Sequence, residues 1–162
     1  MMSFNQYLNE AKNVKLLPIN HKLSGVVLIY NNKILLVRPK KFRRKMRKWS
    51  IPKGHIEEKM TKMQTAIKEL QEESRIKLKK KHLKGAQKTS IDYIKSGVNK
   101  KLTCYVVNIS KEEMNVDLFN DMILGNFLKG ETVEAGFFSM TDAVKIIEKH
   151  QLDLLKFLNE DE

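Results

Sequence analysis

From Ser24 the chain runs Gly25-Val26-Val27-Leu28-Ile29-Tyr30, breaks at Asn31-Asn32, and resumes as Lys33-Ile34-Leu35-Leu36-Val37. Two aliphatic runs parted by an Asn-Asn pair predict a hairpin, because asparagine accepts the left-handed backbone of a tight turn. Further on, Met63, Ala66, Ile67 and Leu70 recur at helical spacing. Thr61 with Gln64 three residues later has the form of a capping box, so a helix is expected from Thr61 to Ser74 or Arg75. Alternation at Thr89–Ile94 and Lys101–Ile109 predicts paired strands joined near Ser96-Gly97-Val98-Asn99. Glu134–Phe138 reads as another strand. Ser139 or Thr141 then caps a final helix through Val144 and Ile147 toward Leu158. Residues 111–130 carry no clear period and predict an irregular insert with short helical pieces. Phe4, Tyr7, Leu8 and Ala11 suggest a helical turn or two within residues 1–15. Pro52 and Gly54 argue against regular helix or central strand in Trp49–Gly54. The order of strands, one helix, more strands and a terminal helix implies an α+β fold, a mixed sheet with helices packed on it.

Composition narrows the class. At 162 residues the chain suits one domain with a core large enough to need no staples. The single cysteine, Cys104, excludes an internal disulfide and fits a reducing compartment. No apolar run approaches the roughly 20 residues of a bilayer span, and the first residues lack the apolar core of a secretory signal. A cytoplasmic protein with no membrane partner is expected. The formal charge is +12, unevenly divided: residues 1–101 hold 26 basic side chains against 7 acidic, and residues 102–162 hold 5 against 12. The basic stretch from Arg38 to Lys48 contains no acid and favours polyphosphate or nucleic acid nearby, although a merely solvated loop has the same composition.

The chemistry-bearing feature is Glu69, Glu72 and Glu73. Spacings of three and four put these carboxylates on one helical face, turned away from the Met63, Ala66 and Leu70 stripe. Neighbouring carboxylates repel, so solvent or a cation must compensate, and hard oxygen donors suit Mg²⁺ or Mn²⁺. An exposed acidic face eased by Lys68 and Lys77 is the plain alternative.

Context favours the cation. Trp49-Ser50-Ile51-Pro52-Lys53-Gly54-His55-Ile56-Glu57, followed by Ala66-Ile67-Lys68-Glu69-Leu70-Gln71-Glu72-Glu73, resembles the Nudix family. Its signature is G-x5-E-x7-R-E-U-x-E-E-x-G-U, with U a bulky aliphatic. Gly54, Glu69, Leu70, Glu72, Glu73 and Ile76 fall in place, giving a box at residues 54–76. The resemblance covers roughly residues 22–150 and implies a Nudix-like α/β/α sandwich with a mixed sheet, spanning 18–160 after an extension of 1–17. Three positions depart from the pattern: Met60 replaces the first glutamate, Lys68 the arginine and Arg75 the glycine. In the family the first glutamate and the arginine brace each other. Lys68 is expected to pair with Glu57 or Glu58 instead, and the helix end to be rebuilt around Arg75, since glycine there serves a left-handed turn.

The resemblance implies metal-dependent hydrolysis of phosphoanhydride bonds in nucleoside diphosphate derivatives. Glu69, Glu72 and Glu73, with the Gly54 carbonyl, would hold Mg²⁺ or Mn²⁺, and Glu72 would serve as ligand or base. A later carboxylate, Glu131 or Glu134, is a further base candidate. Lys53, Arg38 and Glu134 are the expected substrate contacts. Trp49 reads as core before it reads as a base-stacking platform, and His55 receives no catalytic role. The Pro52-to-Glu57 opening is similar to that of enzymes acting on dinucleoside polyphosphates and diphosphoinositol polyphosphates. Decapping enzymes share a related Pro-Lys-Gly opening. The expected substrate is a dinucleoside polyphosphate or similar nucleotide. Removal of an RNA 5′ end group, or a catalytically silent module binding nucleotide or RNA, are the alternatives. Residues 111–130 are, by analogy with other variable loops, a specificity element. Finally, Phe4-Asn5-Gln6-Tyr7-Leu8-Asn9-Glu10-Ala11 resembles the capsid-targeting peptides of T-even-type phage internal proteins, which would imply cleavage after Glu10 and a place in the host cytoplasm or the virion. The shortness of that motif favours an ordinary opening helix.

Overall fold

The computed structural model describes residues 21–39, 49–128 and 132–160. The expected opening helix with its phage-like peptide, the basic residues 40–48, and Glu131 lie outside the described residues.

Strands β1 (His21–Tyr30) and β2 (Lys33–Pro39) form the expected hairpin. Asn31 and Asn32 both take positive φ, 50° and 54°, which is the turn that matches the twist of its flanking strands. Next come β3 (Lys53–His55), helix α1 (Lys62–Ser74) and the short α2 (Lys80–Leu83). They are followed by β4 (Gln87–Lys95), β5 (Val98–Asn108), β6 (Leu118–Phe119), β7 (Met122–Ile123), β8 (Thr132–Phe138) and α3 (Met140–Ile146). A 3₁₀ segment, Lys149–Phe157, closes the described chain. The sheet order is β4-β5-β1-β2-β8-β7-β6, with β3 also pairing β1; among the described strands only β1 and β5 pair in parallel. This is the mixed α+β sandwich.

Strand alternation builds two cores. Val26, Leu28, Leu35 and Val37 point to one side, where Ala66 and Leu70 of α1 meet them with Ile76, Leu78 and Leu83. Val27, Ile29, Ile34 and Leu36 point to the other, against Ile51, Ala143, Ile147 and Leu154. Burial on both faces explains why these strands read as continuous apolar runs.

Three expectations need correction. Lys53 and Gly54, expected outside any central strand, lie in the short β3, which pairs with β1 because Pro52 stands just before it and leaves its N–H groups free to bond. Residues 111–128 contain no α-helix; their regular part is the β6–β7 hairpin, whose turn residues Asn120 and Asp121 both have positive φ. The final helix is also broken. Ile147 leaves helical geometry at ψ 145°, because the Trp49 N–H donates to Ile146 O (3.2 Å) and the Glu148 N–H to Trp49 O (2.9 Å). Pairing with a strand-like segment overrides helical propensity there.

Candidate active site

The sheet opens between β1 and β2, and that opening makes the site. The two strands pair only at Ile29–Ile34 and Tyr30–Lys33, next to their turn. Beyond it, residues 50–55 wedge between them. The Val37 N–H donates to Ser50 O (2.8 Å), the Val26 N–H donates to Pro52 O (3.2 Å), and β3 pairs with Leu23, Ser24 and Gly25. A buried glutamine fixes this wedge. Gln151, fully buried, accepts from the Ile51 N–H (3.0 Å) and donates to Ser50 Oγ (2.9 Å). Nothing in the sequence pointed to Gln151, which sits in the stretch read as plain amphipathic helix.

Helix α1 is aimed at the wedge. Thr61 is its N-cap, and the reciprocal box forms: the Gln64 N–H donates to Thr61 Oγ1 (3.1 Å) and the Thr61 N–H to Gln64 Oε1 (2.9 Å). Ser24 Oγ, buried in β1, donates to Lys62 O (2.7 Å) and pins the first turn to the strand beside β3. The helix ends at Ser74, and Arg75 itself takes the left-handed conformation, φ 68°. The expected rebuilding does not occur. The backbone keeps the glycine geometry, and the Arg75 side chain instead donates to Leu124 O (2.6 Å) in the β6–β8 region. Its guanidinium lies where a β-carbon on Gly125 would be, so the two positions are matched. Lys68 pairs with Glu57 (3.0 Å), one of the two expected partners.

The carboxylates separate into roles. Gly54 lies under Glu69: a β-carbon on Gly54 would overlap the Glu69 carboxyl group, so only glycine lets it approach the β3 backbone. Glu69 and Glu73, one turn apart, share a hydrogen bond, and Glu73 also accepts from the Lys53 backbone N–H. Burial pushes the Glu73 carboxyl up to about 8, opposed by the Lys53 charge and reinforced by the Glu69 charge. Glu72 is half-buried on the same helix, one of its carboxylate oxygens buried; like Glu69, it is not among the residues lining the adjoining cavity. Among the described residues, no three carboxylate, imidazole or thiol groups are already gathered for a cation. The structure therefore joins Glu69, Glu73, Gly54 and Lys53.

A cavity of about 190 Å³ adjoins this group, lined among the described residues by Val37, Pro39, Ser50, Lys53, Glu73, Lys95, Thr132 and Glu148. Lys53 stands between two acids, Glu73 and Glu148; burial lowers its ammonium pKa and both acids oppose that shift. Glu148 pairs with Lys95 (3.5 Å) and lies 3.3 Å from His150 Nε2. His150 stacks on Tyr93 at 3.9 Å, and burial holds its imidazole down at about 4, against the Glu148 charge. Glu148 and Lys95 were missed by sequence reading, since neither belongs to a motif and both arrive through long-range pairing.

Arg38 and Glu134 do not line the cavity. They face each other across β2 and β8, and the Arg38 Nε donates to Glu134 Oε2 (3.2 Å). Strand alternation explains this: Val37 and Pro39 turn inward, so Arg38 turns away. His55 is exposed and edge-on to His21. Trp49 packs edge-on against Phe138, its centroid 4.9 Å away, as a core residue.

Comparison with known proteins decides the family. A family model described as the NUDIX domain matches residues 20–159. The chain belongs to the Nudix family. No curated protein sequence matches it. Among solved structures, a C. elegans Ap4A hydrolase binary complex is 21% identical with a TM-score of 0.63, covering 84% of this chain and 93% of that one. A MutT NUDIX hydrolase from Burkholderia pseudomallei is 16% identical with a TM-score of 0.63, covering 86% and 98%. A bifunctional NMN adenylyltransferase/ADP ribose pyrophosphatase from Francisella tularensis, complexed with AMP and a Mn ion, is 20% identical with a TM-score of 0.64. The match covers 93% of this Nudix chain but only 45% of that larger protein. At such identities the likeness is one of fold. Among the described residues no helix is long and apolar enough to cross a membrane.

Proposed function

We propose that this Nudix chain is a metal-dependent hydrolase of phosphoanhydride bonds in nucleoside diphosphate derivatives, dinucleoside polyphosphates or similar nucleotides foremost. The observation that carries the reading is the meeting of Glu69, Glu73 and Gly54 beside a cavity floored by Lys53. The donor set fits a hard divalent cation. Two carboxylates forced to share a hydrogen bond in a buried place are relieved by a positive charge, and the Gly54 carbonyl would add a further oxygen donor. Glu69, Glu73 and the Gly54 carbonyl would hold Mg²⁺ or Mn²⁺, with Glu72 as the outer ligand or the proton acceptor. Such a cation stabilises the charge that develops on phosphoryl oxygens.

The chain's own residues supply the rest. Lys53 is held between Glu73 and Glu148 so that its ammonium faces the cavity, where it would meet a substrate phosphate. Ser50 and Thr132 add hydroxyls to the same wall. Glu72 would take the proton of the attacking water. Arg38 contributes only by leaving Glu134, so it belongs to the approach of substrate, not to the reacting bond. The Lys68–Glu57 pair takes over the bracing lost with Met60 and Lys68 themselves.

The test is a panel assay with Mg²⁺ and with Mn²⁺, offering dinucleoside polyphosphates, nucleotide sugars, ADP-ribose and 5′-triphosphate RNA. Turnover of the free nucleotides supports this reading. Turnover of the RNA alone selects the 5′-end reaction, and silence toward every substrate leaves only a binding module.

A further inference from the structure

Between Ser74 and Asp92 the chain contains no acidic residue, and it carries Lys77, Lys79, Lys80, Lys81, Lys84 and Lys88. All six side chains are exposed. The backbone beneath them is anchored. Ile76, Leu78 and Leu83 are buried in the α1-side core, so Lys77 and Lys79 alternate outward from an extended segment, Lys80 and Lys81 ride on α2, and Lys84 caps its C-terminus. The Lys79 N–H donates to His82 Nδ1 (3.0 Å), and His82 pairs with Glu113 (3.0 Å), which closes the underside. Among the described residues none of the six lysines is in a salt bridge. Six positive charges within twelve residues on an anchored frame repel one another, which favours a polyanionic partner.

The chemistry of the patch selects that partner. None of the exposed large hydrophobic side chains (Ile94, Phe119, Leu124, Leu128, Val133, Val144 and Leu152) falls within residues 77–88. A protein interface needs an apolar or aromatic centre, and a membrane-surface helix needs an apolar face to insert. Neither is present. Phosphate contacts need only lysines on a surface.

We propose that Lys77, Lys79, Lys80, Lys81, Lys84 and Lys88 form a docking surface for a nucleic-acid phosphate backbone, read without regard to sequence. Lys77 follows the cavity-lining Glu73 by four residues, and from there the surface runs away from the catalytic cavity to Lys88. Lys88 and the cavity-lining Lys95 are seven residues apart on β4, roughly 23 Å at the usual strand rise. It therefore serves to hold the protein on a strand, whichever phosphoanhydride the cavity cleaves.

The experiment is fluorescence anisotropy with a labelled uridine homopolymer of about 20 nucleotides, long enough for every lysine to find a phosphate. Full-length protein is compared with a Lys79→Gln/Lys80→Gln/Lys81→Gln/Lys84→Gln variant. A control replaces Lys59, Lys111, Lys145 and Lys156, which are exposed elsewhere. Wild-type affinity should fall steeply with salt, and the variant's log–log slope should be shallower by about 3, at roughly 0.7 per lost contact on a single strand. The control should keep the wild-type slope. Metal-dependent nucleotide turnover, measured on the same samples, should be the same in all three, so failure of docking and failure of the hydrolase reading are told apart. No binding by wild type, equal slopes in variant and wild type, or lysine-dependent binding to phosphatidylserine vesicles without RNA binding would each overturn the proposal.

Discussion

Arg75 and His150 carry the energetics that single positions reveal. A non-glycine residue at φ 68° costs about 1 kcal/mol in backbone strain, offset here by the charged hydrogen bond to Leu124 O. Arg75→Ala keeps the strain and loses the bond, whereas Arg75→Gly loses both. Urea unfolding should therefore place Ala below Gly by about 1 kcal/mol. Equal stabilities would mean that the left-handed geometry is not retained. His150 gives a pH signature. Its folded value of about 4 lies below the ordinary 6.5, so the unfolded chain binds the extra proton in that window. Acidification from pH 6.5 toward 4 should therefore lower the melting temperature, and His150→Gln should flatten that part of the curve. An unchanged slope in the variant would assign the acid lability elsewhere.

At the scale of elements, the hairpin at Asn31-Asn32, helix α1 with its Thr61–Gln64 box, and the β4–β5 pair were legible in advance. Each rests on short-range rules: turn conformation, capping and alternation within a few residues. The broken final helix was not legible. Its amphipathic spacing continues past Ile147, and only the distant Trp49 backbone interrupts it. The same holds for the wedge of residues 50–55, whose position depends on Gln151 about a hundred residues later. Gln151→Leu would leave the buried Ile51 N–H without its acceptor, at a cost of about 2 kcal/mol in denaturant unfolding. An unchanged denaturation midpoint would show that Gln151 does not hold the wedge.

For the whole molecule, the two-sided core fixes where chemistry sits: the cleft is the gap that opens when β1 and β2 part. The box residues were readable because the motif runs along one helix and one loop: spacing put Glu69, Glu72 and Glu73 on one face, and the resemblance to the family signature added Gly54. Glu148 and Lys95 complete the wall from strands and breaks far away in sequence, and no local pattern marks them. The central claim is that the Glu69–Glu73 pair against Gly54 makes a cation-dependent hydrolytic site. Its most direct test is the Mn²⁺-dependent rate of dinucleoside polyphosphate hydrolysis, wild type beside Glu73→Gln. Turnover should require the cation and fall by about a hundredfold or more in the variant while its circular dichroism is unchanged. A variant as fast as wild type, or a wild-type rate indifferent to the cation, would contradict it.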